Sequence, residues 1–161
     1  MLEEKCNFDE VRRILGAGHL SVQRFIKSGF FTPVVKGGGD RHEYAFRRDH
    51  IEKFLELLGR GAPELTDCPD DALPLQTAAR TYATPLDRLC MSIILGHTEL
   101  AGRIKDASGL GQFVITRAAI KNFKRQFREE GEDYLLEGMF RFRHMQQLEF
   151  DLDEKAVRSA G

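Results

Sequence analysis

The stretch NFDEVRRILGAGHLSVQRFIKSG, residues 7–29, decides the fold of this chain. Its apolar residues at positions 8, 11, 14 and 15 recur at helical spacing until Gly16 and Gly18 interrupt them. The apolar spacing resumes at positions 22, 25 and 26 and stops at Gly29. This stretch therefore predicts two short helices joined by a tight turn.

The residues that follow predict a β-hairpin and a third helix. Two β-prone runs, residues 31–35 and 43–46, flank the loop KGGGDR at residues 36–41, whose glycines give the hairpin a flexible tip. Residues 49–58 return to helical periodicity. We therefore assign residues 1–58 to a first unit.

A second unit, residues 73–128, repeats the pattern of the first. Residues 59–72 between the two units are rich in Gly, Pro and acidic side chains without a periodic apolar face, which predicts a linker. A shift of 67 residues aligns four apolar positions and a glycine without a gap: Ala78 on Val11, Tyr82 on Leu15, Leu89 on Val22, Ile93 on Ile26 and Gly96 on Gly29. Two short helical stretches can align by chance, but the shared glycine and the trailing hairpin favour duplication.

The C-terminal extension, residues 129–161, allows two interpretations. Hydrophobic residues at positions 140, 142, 148, 150 and 152 alternate with charged ones, which predicts a hairpin turning near residues 145–147. Leu135, Met139, Phe142 and Met145 are spaced by three and four residues, which predicts a helix instead.

Charge is segregated along the chain although the net charge is only −1. Residues 72–128 carry nine basic and three acidic side chains, and residues 129–161 carry four basic and nine acidic ones. A basic surface followed by an acidic tail is typical of nucleic-acid binding, but two solvated surfaces produce the same pattern.

The cysteines and the apolar runs indicate a soluble cytoplasmic protein. Cys6, Cys68 and Cys90 are far apart in sequence and odd in number, so they do not form a complete disulfide framework. No apolar run approaches the ~18 residues that a membrane span needs, and the N-terminus is not a secretory signal. We expect no membrane association.

Residues 7–54 resemble the excisionase and MerR-like winged helix-turn-helix family. The resemblance in the helices lies in Glu10-Val11, Leu15-Gly16, the run from Gly18 to Val22, and Gly29; in the wing it lies in Gly37 to Arg41, Tyr44 to Phe46, and Asp49. Two departures are Gly18, where the family has a capping Ser, and His42-Glu43, which lengthen the wing.

The second unit resembles this family less closely, since Thr77 replaces the acidic residue and Thr84-Pro85 occupies the turn. The double arrangement is similar to the C-terminal region of TniQ-like proteins, which are associated with transposition. The resemblance implies a mainly α fold with small β-hairpin wings, an α+β chain of two tandem winged helix-turn-helix units. It also implies a DNA-binding regulator or a recombination or transposition accessory factor.

The second helix of the first unit carries the candidate base-reading side chains. Arg, Lys, Gln and Ser offer hydrogen bonds to base edges and phosphates when such a helix enters the major groove of double-stranded DNA. The candidates are His19, Ser21, Gln23, Arg24 and Lys27, with Lys36 and Arg41 from the wing. Secondary phosphate contacts are expected from Arg88, Arg103 and Lys105. The alternative is an ordinary solvated helix face.

We expect no catalytic site, metal or cofactor. The five histidines show no paired-ligand spacing, and no Cys is close to a His in sequence. The rival to DNA binding is a non-catalytic adaptor that docks a protein partner, or self-associates, through the second unit or the C-terminal extension. Its basis is the helix at residues 86–95, which is apolar nearly all round and needs burial.

Overall fold

The computed structural model describes residues 5–31, 33 and 45–144. Within these ranges the chain is α+β, with helices predominating and two small sheets, which confirms the α+β class. The elements of the first half are β1 (Lys5–Cys6), α1 (Phe8–Leu15), α2 (His19–Lys27), β2 (Phe46–Arg47) and α3 (Arg48–Leu58).

The second half contains four strands and four helices in the described part of the chain. They are β3 (Glu64–Leu65), β4 (Ala72–Pro74), α4 (Leu75–Thr81), α5 (Leu86–Ile94), β5 (Gly102–Ile104), β6 (Phe113–Thr116), α6 (Arg117–Glu130) and α7 (residues 133–144). A 3-10 helix, Gly109–Gln112, precedes β6.

Local hydrogen bonds explain where α1 begins and why α2 follows it so closely. Asn7 Oδ1 accepts from the backbone N–H of Glu10 at 2.9 Å, and the Glu10 carboxylate accepts in return from the Asn7 N–H. This reciprocal pair is a capping box. Gly18 is the N-cap of α2 and makes no side-chain hydrogen bond, since glycine has no side chain to accept from the first turn.

The element boundaries of the second half repeat those of the first. Shifting α2 by 67 residues gives residues 86–94, the bounds of α5. Gly29 and Gly96, which align under this shift, have φ angles of 82° and 85°. Gly16 and Ala83 also align, with φ angles of 63° and 52°. Ala83 thus adopts the left-handed conformation of Gly16 although it costs a non-glycine residue ~1 kcal/mol.

Strand pairing is repeated as well. β1 pairs antiparallel with β2, with Lys5 opposite Arg47, and β4 pairs antiparallel with β6, with Ala72 opposite Thr116. The four-stranded sheet has the order β3-β5-β6-β4, in which β5 and β6 form an antiparallel hairpin. This hairpin lies between α5 and α6 in the chain.

Residues 59–72, predicted as a linker, contain β3. This two-residue strand runs parallel to β5, with Glu64 opposite Arg103 and Leu65 opposite Ile104. A strand of two residues is too short to show alternation, so periodicity cannot predict it. The segment is therefore fixed along the edge of the second sheet.

The two halves share one hydrophobic core, with α5 at its centre. Leu89, Cys90 and Met91 are fully buried, and α5 packs against α2, α3 and α4. The apolar surface predicted for this helix is thus buried within the chain, in part against the first half. α5 begins at Leu86, so Pro85 is its N-cap and not its first helical residue.

The C-terminal extension is helical over residues 133–144, and the strand interpretation of Phe140 and Phe142 is wrong. Leu135 and Met139, four residues apart, are buried in the shared core. Phe140 is 72% exposed, so the alternation of Phe140 and Phe142 with charged residues does not mark the buried face of a strand. The rest of the predicted hairpin lies outside the described residues.

Gly109 is a point of close backbone contact between the halves. A Cβ atom at this residue would lie 2.7 Å from the carbonyl oxygens of Ile14 and Leu15 at the end of α1, and its φ is 61°. Both effects oppose any side chain there.

We expect Gly109→Ala to lower the free energy of unfolding by about 2–4 kcal/mol, since it adds overpacking to backbone strain. Gly111→Ala is the matched control, because its Cβ would meet no atom within 4 Å. Urea denaturation of both variants measures the difference. Equal stabilities would show that the two halves do not meet at Gly109.

Candidate nucleic-acid interface

Helix α2 has one buried face and one face open to solvent. Val22 and Phe25 are fully buried in the shared core. The opposite face presents the exposed side chains of His19, Arg24 and Lys27, and Ser21 and Gln23 are partly exposed. The helical spacing predicted from the sequence thus places the five candidates of this helix at or next to the surface.

The two cations on this face have no counter-charge. Arg24 and Lys27 lie one turn apart, and neither makes an ion pair or side-chain hydrogen bond within the described part of the chain. Other cations differ, since Arg48 pairs with Glu52 at 3.1 Å. No acidic residue lies in α2. Its outer face is therefore positive and has side-chain donors available.

Two neighbouring side chains complete the N-terminal end of this surface. His19 packs its ring against Phe8 of α1, with ring centroids 4.8 Å apart, which restricts its orientation. Leu20 is 71% exposed beside it. Leu20 was not among the candidates predicted from the sequence, although its position outside the apolar spacing of residues 22, 25 and 26 indicated an exposed side chain.

The wing candidates Lys36 and Arg41 lie outside the described residues. The base of the predicted wing is described on one side, where β2 pairs with β1 and leads directly into α3. Phe46 of β2 is buried, and its ring forms a T-shaped, edge-to-face pair with that of Phe31, with centroids 5.9 Å apart.

The three secondary candidates are not equivalent. Arg88 is engaged inside the protein, as its Nε donates to Glu132 at 2.9 Å and its Nη1 to Asp87 at 3.1 Å. Arg103 and Lys105 are exposed, and they lie in and just after β5, between β3 and β6 in the sheet. Only Arg88 lies close to α2.

A buried polar network joins the end of α2 to the start of α5. The hydroxyl of Ser28 donates to the carboxylate of Asp87 at 2.7 Å, and Asp87 is only 8% exposed. Arg88 Nη1 donates to the same carboxylate and to Ser28 Oγ at 3.3 Å. Since the network includes the residue directly after Lys27, it fixes the position of α2 on the core.

A second group of exposed cations was missed by the sequence analysis. They lie along the outer face of α6: Arg117, Lys121, Lys124, Arg125 and Arg128. The sequence counts them within the basic stretch of residues 72–128, and Arg117 is a candidate for nonspecific phosphate contact, but their common face follows from the spacing of three and four residues.

No group of His, Cys, Asp and Glu side chains in the described residues is arranged to hold a metal ion. Burial raises the pKa of the Cys90 thiol well above its usual range, so this thiol stays protonated. Among the described helices, none has the length and apolar content to cross a bilayer.

Comparison with known proteins gave no match: no family model, no curated protein and no solved structure is similar to the chain.

The Ser28–Asp87–Arg88 network predicts a large effect of removing its carboxylate. We expect Asp87→Ala to lower the free energy of unfolding by about 2–3 kcal/mol, because it leaves the partly buried Ser28 hydroxyl and Arg88 guanidinium short of a partner. Glu132→Gln, at the half-exposed end of the network, should cost less than about 1 kcal/mol. Thermal or urea unfolding compares the two; equal costs would contradict this role of Asp87.

Proposed function

We propose that the chain binds double-stranded DNA through α2, acting as the recognition helix of a winged helix-turn-helix unit. The observation that carries the proposal is the unpaired positive face of α2. Gln23, Arg24 and Lys27 lie together on it, while the opposite face is anchored in the core. A helix held in this way can enter the major groove without reorganising the protein.

Each side chain has a role consistent with its chemistry. Arg24 and Lys27 donate to phosphates or guanine edges, and Gln23 offers both a donor and an acceptor to a base. Leu20 provides the apolar contact that suits a thymine methyl group. Lys36 and Arg41 of the predicted wing contribute phosphate or minor-groove contacts, as the family resemblance implies.

The second half acts mainly as support in this proposal. Its repeated boundaries, strand register and turn angles favour a duplicated unit. Because α5, the counterpart of α2, is buried, it cannot enter a groove. It supports α2 from behind through the core and through Ser28 and Asp87.

One of the two observations behind the adaptor alternative, the apolar helix α5, has an explanation within the chain; the other is the near-neutral net charge of −1. The apolar surface of α5 is covered within the chain by α2, α3 and α4 and by the shared core. An external partner or a second copy is therefore not needed to bury it. We keep DNA binding as the single proposal, with a regulator or a transposition accessory factor of the cytoplasm as the role that the resemblance suggests.

Removing the two cations of α2 should weaken DNA binding and reduce its salt dependence. We expect Arg24→Ala with Lys27→Ala to lower affinity for mixed-sequence duplex DNA at least about tenfold at physiological salt, since each lost phosphate contact removes ~0.9 from the slope of log affinity against log salt. Fluorescence anisotropy over a salt series measures both quantities.

The matched control for this experiment is Lys53→Ala with Arg60→Ala. These cations flank Glu56, at 3.7 and 4.0 Å, so the variant removes the same charge from a surface that is already neutralised. We expect it to bind DNA much as the parent does. If both double variants bind equally, or if the parent does not bind DNA at low salt, α2 is not a recognition helix.

Leu20 should affect affinity without affecting the salt slope. We expect Leu20→Ala to weaken binding to a DNA site selected from a random pool by about fourfold, the value of roughly one buried CH₂ group, because an apolar contact releases no counterions. Its high exposure predicts an unchanged thermal midpoint. A change in slope, or no change in affinity, would exclude a base contact by Leu20.

A further inference from the structure

The outer face of α6 carries a row of unpaired cations, which we call the α6 stripe: Arg117, Lys121, Lys124, Arg125 and Arg128. All five side chains are exposed. None forms an ion pair with an acidic residue in the described part of the chain, and Arg125 donates only to the neutral side chain of Asn122. The stripe spans about 16 Å at 1.5 Å per residue.

The repeat supplies an internal reference for this helix. A shift of 69 residues places α6 on α3, and it aligns Ile51 with Ile120 and Phe54 with Phe123, all of them buried. The inner faces of the two helices thus match. Their outer faces do not.

Every acidic residue on α3 is replaced on α6. The three replacements are Asp49 by Ala118, Glu52 by Lys121 and Glu56 by Arg125. In α3 these carboxylates neutralise neighbouring cations: Asp49 accepts from Arg47 at 2.6 Å, which lowers the pKa of Asp49, and Glu52 pairs with Arg48 at 3.1 Å. The same surface therefore carries both charges on α3, whereas residues 117–128 of α6 contain basic side chains and no acidic one.

The α6 stripe does not stabilise its own helix. Arg117 and Lys121, Lys121 and Arg125, and Lys124 and Arg128 are like charges four residues apart, and such pairs oppose helix formation. The two acidic positions of α3 at residues 52 and 56 are occupied by Lys121 and Arg125 in α6, and the two glutamates of α6, Glu129 and Glu130, lie at its C-terminal end beyond the stripe. A surface with unfavourable charge in isolation becomes favourable when an external polyanion covers it.

We propose that the α6 stripe binds the sugar-phosphate backbone of duplex nucleic acid, independently of base sequence. The cations lie in a single row, as a backbone of regularly spaced phosphates requires. This contact is separate from α2 and does not require α2 to read bases.

The side chains of α6 favour this ligand over two others. A membrane-surface helix needs apolar residues bordering its basic face, but the apolar residues Ile120 and Phe123 are buried in the core. Single-stranded nucleic acid is bound by aromatic stacking, and the two aromatic residues of α6, Phe123 and Phe127, stack on each other on the inner face.

The test compares Lys121→Ala with Arg125→Ala against the α3 control, Lys53→Ala with Arg60→Ala, which removes an equal charge. On mixed-sequence duplex DNA we expect the α6 variant to bind at least about tenfold more weakly at physiological salt, with a salt slope smaller by about two. The control should bind as the parent does. Equal binding by the two variants overturns the proposal.

The α2 double variant separates this inference from the proposed function. If the α6 variant loses affinity and the α2 variant does not, the α6 stripe is the DNA contact and the α2 proposal fails. If only the α2 variant loses affinity, the α6 inference fails. Binding to phosphatidylserine vesicles that depends on Lys121 and Arg125, without an effect on DNA, assigns the stripe to membranes and overturns the inference.

A charge-swap variant distinguishes binding from folding. Lys121→Glu with Arg125→Glu restores the two acidic positions of α3, so we expect an unchanged or higher thermal midpoint together with a further loss of DNA affinity. Opposite effects on stability and binding support a ligand-binding surface. A lower midpoint in this variant and in the alanine variant assigns the stripe a structural role and overturns the proposal.

Discussion

The burial of α5 in the core that the two halves share is the constraint on which the rest of the structure depends. Its side chains Leu89, Cys90 and Met91 are fully buried, and α2, α3 and α4 pack around it. Neither half of about 60 residues could bury a large core alone, but together they share one. The orientation of α2 follows from this packing, since Val22 and Phe25 face the same core, and the Ser28–Asp87 hydrogen bond fixes the end of the helix.

The shared core also explains how two similar halves come to have different surfaces. α2 and α5 have the same length and aligned bounds, yet α2 keeps a polar outer face and α5 is apolar nearly all round. α3 and α6 have matching inner faces, yet α3 is charge-balanced and α6 is positive. In each pair the inner positions are held by packing, whereas the outer positions are constrained only by solvent and by what binds there. The proposed division of labour follows from those outer positions.

The parts of the fold that sequence reasoning missed share a physical cause. The strand β3 has two residues, too few for a period to appear, and its place is set by β5. In residues 133–144 two periodicities overlapped, and burial of Leu135 and Met139 decided in favour of the helix. Leu20 is apolar, and apolar side chains are ordinarily buried, but the side chain of Leu20 lies in solvent. In the α6 stripe the charges were legible, but the absence of nearby acidic partners is a property of the folded chain.

The sequence by itself determined the helix–turn–helix of residues 7–29, the α+β class, the alignment of the two halves and the polar face of α2. These follow from local periodicity, capping residues and turn glycines, which act over a few neighbouring positions. Only the tertiary structure decided that both halves share one core, that Arg88 is engaged by Asp87 and Glu132, and that the cations of α2 and α6 lack counter-charges. Those properties depend on contacts between residues far apart in the chain, such as Arg88 with Ser28, 60 positions away, and no local pattern encodes such contacts.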